Sequence, residues 1–247
     1  MKTNNKIALI SGANRGLGFE IGRQLGKQGI TVLLGSRNEE AGREAAAQLI
    51  SEGIDAYSIQ LDITDEASIT SAVEVVKNRF GKLDILINNA VFFNRENQSP
   101  TQISISLLQT YVNTNFVAQV SVTQAFLPLL KESNAGRIVN MSTSIGSMSI
   151  MGDANHSNPR ILRATPLGYS ASKTALNMFT VLLAKELKET SIKVNSADPG
   201  WTQTDMGGAD AKYSVEEGAK PAVWLACLDE DGPTGKFFTH EQVENPW

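Results

Sequence analysis

The sequence contains little of what marks a disulfide-rich or membrane protein. A single cysteine, Cys227, excludes an internal disulfide, and its apolar neighbours indicate a buried thiol. The apolar run at residues 7–10 is too short for a signal peptide or a membrane-spanning helix. We therefore expect a cytoplasmic protein without a membrane partner.

Charge is also sparse and balanced along the chain. Lys and Arg number 22 against 26 Asp and Glu, which gives a net charge of −4. No basic run is long enough to follow a polyanion, so we expect no nucleic-acid partner. The 247 residues, 41% of them hydrophobic, are sufficient for one globular domain over residues 1–247.

What the sequence does contain is a regular alternation of short β-rich runs and longer segments with helical periodicity. Strands are predicted at residues 6–10, 31–34, 55–60, 83–87, 137–141, 191–197 and 236–238, and helices at residues 17–28, 39–51, 66–80, 104–131, 167–189 and 214–228. This alternation is typical of an α/β protein with a parallel sheet. Residues 146–166 and 200–212 are predicted to be loops beside a site, the second a candidate lid.

A glycine-rich turn, SGANRGLG at residues 11–18, follows the first strand and opens the first helix. Gly12 permits a tight turn, Gly16 lets the backbone approach a pyrophosphate, and Gly18 allows the helix to pack closely on the strand. Free N–H groups at the start of the helix would bind phosphate, so the turn predicts a dinucleotide site. The predicted cofactor-binding residues of the turn are Gly12, Asn14, Arg15, Gly16, Leu17 and Gly18.

The end of the second strand bears on the choice of dinucleotide. NAD sites usually place an acid about 20 residues after the glycines, but residues 33–37, LLGSR, contain none. Arg37, together with Arg15, offers a planar fork of donors for a 2′-phosphate. We therefore expect NADP(H), the alternative being an Arg37 that is simply solvated.

Tyr169 and Lys173 are four residues apart in a predicted helix, so their side chains share a face. A phenol has an ordinary pKa of about 10, and a nearby ammonium favours the phenolate and lowers that pKa. The pair can therefore act as an acid and base beside a substrate. The alternative is an exposed pair on a solvated face.

These motifs resemble those of the short-chain dehydrogenase/reductase family over residues 6–238, and the segment DPGWTQTDM at 198–206 is similar to that family's carbonyl reductases. The other motifs that carry the resemblance are Asp62, Asn88-Asn89-Ala90, Asn115, the hydroxyl cluster at 142–144 and Pro199-Gly200. The resemblance implies a single-domain Rossmann fold with a doubly wound, seven-stranded parallel sheet flanked by helices on both faces. Residues 1–90 would mainly bind cofactor, and residues 91–247 would carry catalysis and substrate binding.

The resemblance also implies roles for individual residues. Asp62 and Ile63 would contact adenine, although Asp62 could instead cap the helix that begins near Asp65. Asn115 would bond backbone and hold a water, and Lys173 would bond the nicotinamide ribose. The other implied cofactor contacts are Asn89, Ala90, Tyr169, Pro199, Gly200, Thr202 and Thr204.

Two positions depart from the family pattern. Val91 stands where the family usually has glycine, and its β-carbon would crowd the cofactor or shift the backbone. The catalytic serine position, three residues before Gly146, holds Thr143, whose hydroxyl can polarise a carbonyl while its methyl restricts the side-chain rotamer. Ser142 and Ser144 are the alternatives for this role.

The reaction that the resemblance implies is reduction of a ketone or aldehyde by NADPH, with Tyr169 as proton donor. The implied catalytic set is Asn115, Thr143, Tyr169 and Lys173, and the expected apolar substrate pocket comprises Phe92, Phe93, Trp201 and Met206. No metal is expected. An NAD-dependent alcohol or sugar dehydrogenase and a non-catalytic NADP-sensing protein are the alternatives.

The resemblance leaves the oligomeric state open. Family members are commonly dimers or tetramers. The 25 residues between Thr143 and Tyr169 are more than is usual in the family, and resemble in position the insertion of monomeric carbonyl reductases. Both a homo-oligomer and a monomer are therefore compatible with the sequence.

Overall fold

The computed structural model describes residues 6–247 as a seven-stranded parallel sheet with helices on both faces. The strands are β1 Ile7–Ser11, β2 Thr31–Ser36, β3 Ala56–Gln60, β4 Ile85–Asn88, β5 Arg137–Met141, β6 Lys193–Ala197 and β7 Phe237–Phe238. Their order in the sheet is β3-β2-β1-β4-β5-β6-β7, and every pairing is parallel. The predicted α/β Rossmann fold with a doubly wound sheet is confirmed. Residues 1–5 of the expected domain lie outside the described residues.

The helices that follow these strands close both faces of the sheet. They are α1 Gly16–Lys27, α2 Glu39–Ser51, α3 Glu66–Phe80, α4 Ile105–Val112, α5 Ala118–Lys131, α6 Met148–Met151, α7 Pro159–Arg163, α8 Leu167–Glu186 and α9 Val215–Ala226. In the part of the chain that the structure describes, none of the helices is both long and apolar enough to cross a membrane.

The core lies in two layers because successive residues of a strand point to opposite faces. Ala8 and Ile10 of β1 join one layer, which is covered by α1, α2 and α9. Ile7 and Leu9 join the other, which is covered by α3, α5 and α8. All five residues of β1 are buried, as expected for a strand with helices on both sides.

A row of buried polar side chains crosses the sheet from β4 to β6. Asn88 donates to Thr123 of α5 at 2.8 Å and to the Asn140 side chain at 2.7 Å. Asn140 donates to Thr180 of α8 at 2.8 Å, and Thr180 lies 2.9 Å from the Ser196 hydroxyl. Each bond contributes about 1 kcal/mol to stability, and a buried partner left unsatisfied costs more. The row therefore fixes α5 and α8 relative to the carboxyl ends of the central strands.

The strand order reverses between β1 and β4, which are neighbours in the sheet although β2 and β3 separate them in the chain. At such a point the connections after the two strands diverge and leave a crevice, where ligands bind in sheets of this type. The glycine turn after β1 and residues 89–90 after β4 both open onto it.

Several predicted element ends are shifted by one or two residues, and three segments differ further from the structure. The helix predicted at residues 104–131 is two helices, α4 and α5, joined by a π-helical turn at Asn113–Val117. The loop predicted at 146–166 contains α6 and α7, each capped by its own polar residue, Ser147 or Asn158. The helix predicted at residues 167–189 ends at Glu186 of α8, so residues 187–189 lie beyond it.

Candidate active site

The glycine turn has the backbone of a phosphate cradle. Gly12 and Gly16 have φ of +64° and +57°, in the left-handed region that favours glycine. A β-carbon on Gly18 would lie 2.5 Å from Asn89 Nδ2 and 2.6 Å from Gly12 O, whereas one on Gly16 would meet nothing within 4 Å. Helix α1 starts at Gly16 without a side-chain cap. Its first N–H groups and the open backbone at Gly16 therefore fit a bound pyrophosphate.

Asn89 and Ser11 hold the turn against the end of β4. Asn89 Nδ2 donates to Ser11 O at 2.9 Å and to Gly12 O at 3.1 Å. The Ser11 hydroxyl accepts from the backbone N–H of Asn89 and of Ala90, each at 3.0 Å. The Asn89–Ala90 backbone is thereby fixed beside the turn. Ser11 was not among the predicted residues, although its place at the strand end would have suggested it.

The two arginines predicted to select the cofactor lie at neighbouring strand ends. Arg37 is exposed directly after β2, just before Asn38 caps α2. Arg15 is exposed and forms an ion pair of 2.8 Å with Asp205 of the 200–212 segment. An anion binding to Arg15 would compete with that carboxylate, so Arg37 is the more available of the two.

Asp62 lies after β3, half-buried, and does not cap α3. The capping residue is Asp65, which accepts from Ala67 N at 3.0 Å. Asp62 Oδ1 accepts from the N–H and the hydroxyl of Thr64, at 2.9 and 2.7 Å. The helix-cap interpretation of Asp62 is therefore wrong. Ile63 is buried beside it.

Tyr169 and Lys173 lie on the inner face of α8, and the Lys173 ammonium is 5.9 Å from the centre of the Tyr169 ring. Lys173 is 2% exposed and its Nζ donates to Met141 O at 2.8 Å. Burial lowers the pKa of Lys173 to about 8. The alternative of an exposed pair on a solvated face is therefore wrong.

The expected lowering of the Tyr169 pKa by Lys173 is not what the structure gives. Desolvation raises the pKa of Tyr169, and the charge of Asp198 and the nearby Tyr111 add to that rise. The ring retains some accessible surface, but Phe93 and Tyr111 contact its edges, with ring centres 6.0 and 6.4 Å away. The phenol therefore stays protonated at neutral pH.

Of the three hydroxyls after β5, only that of Thr143 is both accessible and uncommitted. The Ser142 hydroxyl is buried without a partner. Both the N–H and the hydroxyl of Ser144 donate to Asp198, the N–H at 2.8 Å. Thr143 is partly exposed, and its hydroxyl has no partner among residues 6–247. The geometry favours Thr143 over its two neighbours.

The segment that carries Thr143, residues 141–146, contacts Lys173 at both of its ends. Lys173 bonds Met141 O at its start, and a β-carbon on Gly146 at its end would lie 2.8 Å from Lys173 Cβ. Gly146 O also accepts from the Thr174 hydroxyl at 2.9 Å and from Asn177 Nδ2 at 3.2 Å. These contacts hold the Thr143 segment against α8.

Asn115 lies in the π-helical turn and is fully buried. Its Oδ1 accepts from Phe92 N at 2.7 Å, and its Nδ2 donates to Phe92 O at 3.0 Å and to the Ser172 hydroxyl at 3.3 Å. The side chain therefore binds backbone, in line with the role expected from the resemblance. π-Helical turns within α-helices are frequent at functional sites.

Val91 is 38% exposed, and its φ is not in the left-handed region. The position thus accepts a β-branched residue without backbone strain. Phe93 lies against Tyr169, whereas Phe92 packs edge-on against Tyr111, with ring centres 5.0 Å apart. Phe93 is accordingly the better placed of the two to contact a substrate.

The 200–212 segment is only partly arranged as expected. Thr202 is 6% exposed and its hydroxyl donates to Pro199 O at 2.9 Å, so that hydroxyl is already used within the turn. Thr204 Oγ1 accepts from Gly207 N at 3.1 Å. Trp201 is covered by Arg160 of α7, whose guanidinium lies 3.2 Å from the ring centre, and Met206 is half-buried. Among the described residues, the ring contacts of Tyr169 are with Phe93 and Tyr111, and not with Trp201.

The comparisons with known proteins agree with this geometry. A family model described as short chain dehydrogenase matches residues 6–213. A (+)-neomenthol dehydrogenase of Arabidopsis thaliana is 37% identical over 289 residues, covering 96% of this chain and 97% of that protein. Carbonyl reductase (NADPH) 1 of Sus scrofa is 32% identical and covers 98% of this chain and 95% of that protein. An NADPH-bound carbonyl reductase from chicken fatty liver has a TM-score of 0.85 at 27% identity, covering 98% and 99% of the two chains.

The chain belongs to the short-chain dehydrogenase family. The predicted family membership, its likeness to carbonyl reductases and the oxidoreductase class are confirmed.

Besides Ser11, two further residues of this short-chain dehydrogenase, Gln98 and Asp198, were not predicted to act at the site, although both touch it. Gln98 is buried, and its Oε1 accepts from the Tyr169 N–H at 3.1 Å across 71 positions of sequence. Asp198 is buried and binds the segment next to Thr143. A carboxylate directly after a buried strand was a signal for Asp198, whereas nothing local singled out Gln98.

Proposed function

We propose that the protein reduces ketones or aldehydes to alcohols with NADPH, and that Tyr169 donates the proton. The observation that carries this proposal is the arrangement at the carboxyl end of β5. There the neutral phenol of Tyr169 and the buried ammonium of Lys173 lie on α8, and the segment that carries the free Thr143 hydroxyl packs against Lys173. The neomenthol dehydrogenase and carbonyl reductase relatives support the same reaction class.

The residues fit NADP(H). Gly12, Gly16 and the start of α1 would hold the pyrophosphate, and Arg37 would bind the 2′-phosphate. Asp62 and Ile63 would contact adenine, and Asn89 and Ala90 would lie along the dinucleotide. When bound, the cofactor supplies the hydride. The NADPH named in a relative and bound in a solved neighbour supports this assignment.

The protein's own residues would bind the carbonyl and move the proton. Thr143 would donate a hydrogen bond to the carbonyl oxygen and stabilise the negative charge that develops there. Tyr169 would give that oxygen its proton, which the raised pKa of the phenol keeps in place at neutral pH. Lys173 would bind the nicotinamide ribose, and Asn115 would hold the π-helical turn against the Phe92 backbone.

The protonation state of Tyr169 also indicates whether the site is suited to carbonyl reduction or to alcohol oxidation. A protonated phenol is ready to donate, but it must first lose its proton to act as a base in alcohol oxidation. The site therefore favours reduction at neutral pH, and oxidation would need a higher pH. The exposed side of Phe93 beside Tyr169 is suited to an apolar substrate, such as an aryl or cyclic ketone.

A consumption assay separates this proposal from its rivals. The purified protein is mixed with a panel of aryl, cyclic and aliphatic ketones and aldehydes, once with NADPH and once with NADH. We expect turnover with NADPH and a higher kcat/KM than with NADH. A preference for NADH would favour the NAD-dependent dehydrogenase, and tight NADPH binding without turnover would favour a sensing protein.

A further inference from the structure

Asp198 is a buried acid that the proposed reaction does not use. It follows β6 directly and is 5% exposed. A carboxylate out of water is unfavourable unless the surroundings compensate it with hydrogen bonds or a counter-charge. Its surroundings therefore indicate what keeps it there.

The two oxygens of Asp198 bind two different segments of the site. Oδ2 accepts from the N–H of Ser144 at 2.8 Å and from the Ser144 hydroxyl, while Oδ1 accepts from the Gly200 N–H at 2.8 Å. Asn245 supports the first contact by donating to the Ser144 hydroxyl at 3.3 Å. Both oxygens thus accept from backbone N–H groups, the pattern that a carboxylate requires.

The two segments are those that would face the reacting atoms. Ser144 directly follows Thr143, the candidate carbonyl-binding hydroxyl. Gly200 completes the Pro199-Gly200 turn expected to face the nicotinamide, and its φ of +68° is left-handed. A β-carbon there would lie 2.8 Å from the Tyr213 ring, so the turn packs closely against Tyr213 on one side and is bonded to Asp198 through its N–H.

We propose that Asp198 is a positioning residue, whose two carboxylate oxygens hold the Thr143 segment and the Pro199-Gly200 turn in register with each other. This inference rests on the proposed carbonyl reduction, because the geometry matters only if both segments contact reactants. Misplacement of reacting groups by about 1 Å is enough to slow a reaction strongly.

The charge of Asp198 also acts on the proton donor. The groups that face Tyr169 are Asp198, Tyr111 of α4 and Lys173 of α8, and the first two raise the pKa of the phenol in addition to burial. The imidazole of His240, after β7, faces Asp198, and its electrostatic effect opposes the rise in the Asp198 pKa that burial causes. Removing the carboxylate would therefore lower the pKa of Tyr169.

The test compares Asp198→Asn with wild type and with Asp231→Asn, an exposed acid away from the site. Asparagine keeps the size, but its NH2 cannot accept from Ser144 N or Gly200 N, so one segment is released. We expect kcat for ketone reduction to fall about tenfold or more, with the NADPH Kd within about threefold of wild type. In alcohol oxidation, the rise of rate with pH moves to lower pH, whereas Asp231→Asn changes neither.

A wild-type kcat in Asp198→Asn would overturn the inference, and so would a lower kcat with an unmoved pH profile, which indicates packing alone. If this variant does not fold, Ser144→Ala removes only the hydroxyl contact. Its expected effect is a few-fold lower kcat with unchanged NADPH binding, and a wild-type kcat there counts against the role. A wild-type protein without any turnover rejects the proposed function instead.

Discussion

At the scale of single residues, burial shifts the pKa values of two neighbouring groups of the candidate site in opposite directions. Tyr169 is held neutral by burial and by the charge of Asp198, while Lys173 keeps an ammonium in surroundings that lower its pKa. Perturbed groups of this kind cluster where proton transfer occurs. Local spacing predicted the pair, but the direction of the Tyr169 shift depends on distant residues that meet it only in the fold.

Thr143 is the residue whose hydroxyl should matter most after Tyr169. Thr143→Ala should lower kcat about 10²–10³-fold, because it removes a donor to the developing negative charge. Thr143→Ser keeps the hydroxyl and should retain activity within about tenfold. Steady-state kinetics on one ketone compares the two variants.

Ser142→Ala is the matched control for these variants, since the Ser142 hydroxyl is buried and has no partner. We expect it to leave kcat nearly unchanged. A loss in Ser142→Ala as large as that in Thr143→Ala would assign the role to Ser142.

The pKa of Lys173 predicts how activity depends on pH. Burial lowers this pKa from 10.5 to about 8, so the ammonium is present below pH 8 and is lost as pH rises through that value. We expect kcat for reduction to fall above about pH 8. Tyr169 does not contribute to this fall, because its own pKa is raised.

Stability should follow the opposite course for this group. Between about pH 8 and 10.5 the unfolded chain holds a proton on Lys173 that the folded protein has released, so its contribution to the free energy of unfolding rises with pH. Measuring Tm at each pH of the kcat profile separates the two effects. A kcat that stays flat to pH 9.5 would contradict the assignment.

At the scale of elements, the segment after β4 is bound to the helices around it at several points. Asn115 of the π-helical turn binds both backbone groups of Phe92, and the Tyr111 hydroxyl bonds the N–H and C=O of Asn94 at 2.8 and 3.0 Å. Gln98 then joins the segment to the first turn of α8 at Tyr169. These bonds set the distance between Phe93 and the proton donor.

Gln98→Met tests this connection, because methionine has a similar volume but offers the Tyr169 N–H only the weak acceptor of a thioether. We expect a loss of about 1–3 kcal/mol in the free energy of unfolding from the unsatisfied buried groups. A displaced Tyr169 should lower kcat about tenfold, with NADPH binding retained. Gln102→Met, in the same segment but exposed, is the control. Reduced stability with a wild-type kcat would show that Gln98 only supports the fold.

What the sequence could not predict at this scale has a common physical cause. The glycine turn and the Tyr169–Lys173 spacing are local patterns, readable from neighbouring residues. The π-helical turn at Asn115 and the bond from Gln98 to Tyr169 depend on partners 23 and 71 positions away. Periodicity carries no record of such partners, so residues 104–131 were predicted to be one regular helix.

At the scale of the whole molecule, the parallel sheet brings these parts to one edge. Alternating strands and helices predicted the sheet, and its order places the ends of β1, β4, β5 and β6 side by side. The phosphate cradle, the Asn89–Ala90 segment, Thr143 and Asp198 follow those four strands in turn. The candidate cofactor-binding and catalytic segments therefore lie along one side of the sheet.

The choice of cofactor also depends on the sheet order, because Arg37 directly follows β2, the neighbour of β1. Arg37→Ala should raise the Kd for NADPH about tenfold or more by removing a charge–phosphate contact, and should leave the Kd for NADH nearly unchanged. Arg43→Ala, an exposed arginine paired with Glu39 on α2, is the matched control. Equal effects of Arg37→Ala on both cofactors, measured by fluorescence titration, would remove Arg37 from 2′-phosphate recognition.

The most direct test of carbonyl reduction by this fold is the kcat of Tyr169→Phe with NADPH and the best ketone of the panel. The ring contacts with Phe93 and Tyr111 remain, so Tm and the NADPH Kd should stay close to wild type. The loss of the proton donor should lower kcat by about 10²–10⁴-fold. A folded Tyr169→Phe protein that reduces the ketone at the wild-type rate would contradict the account.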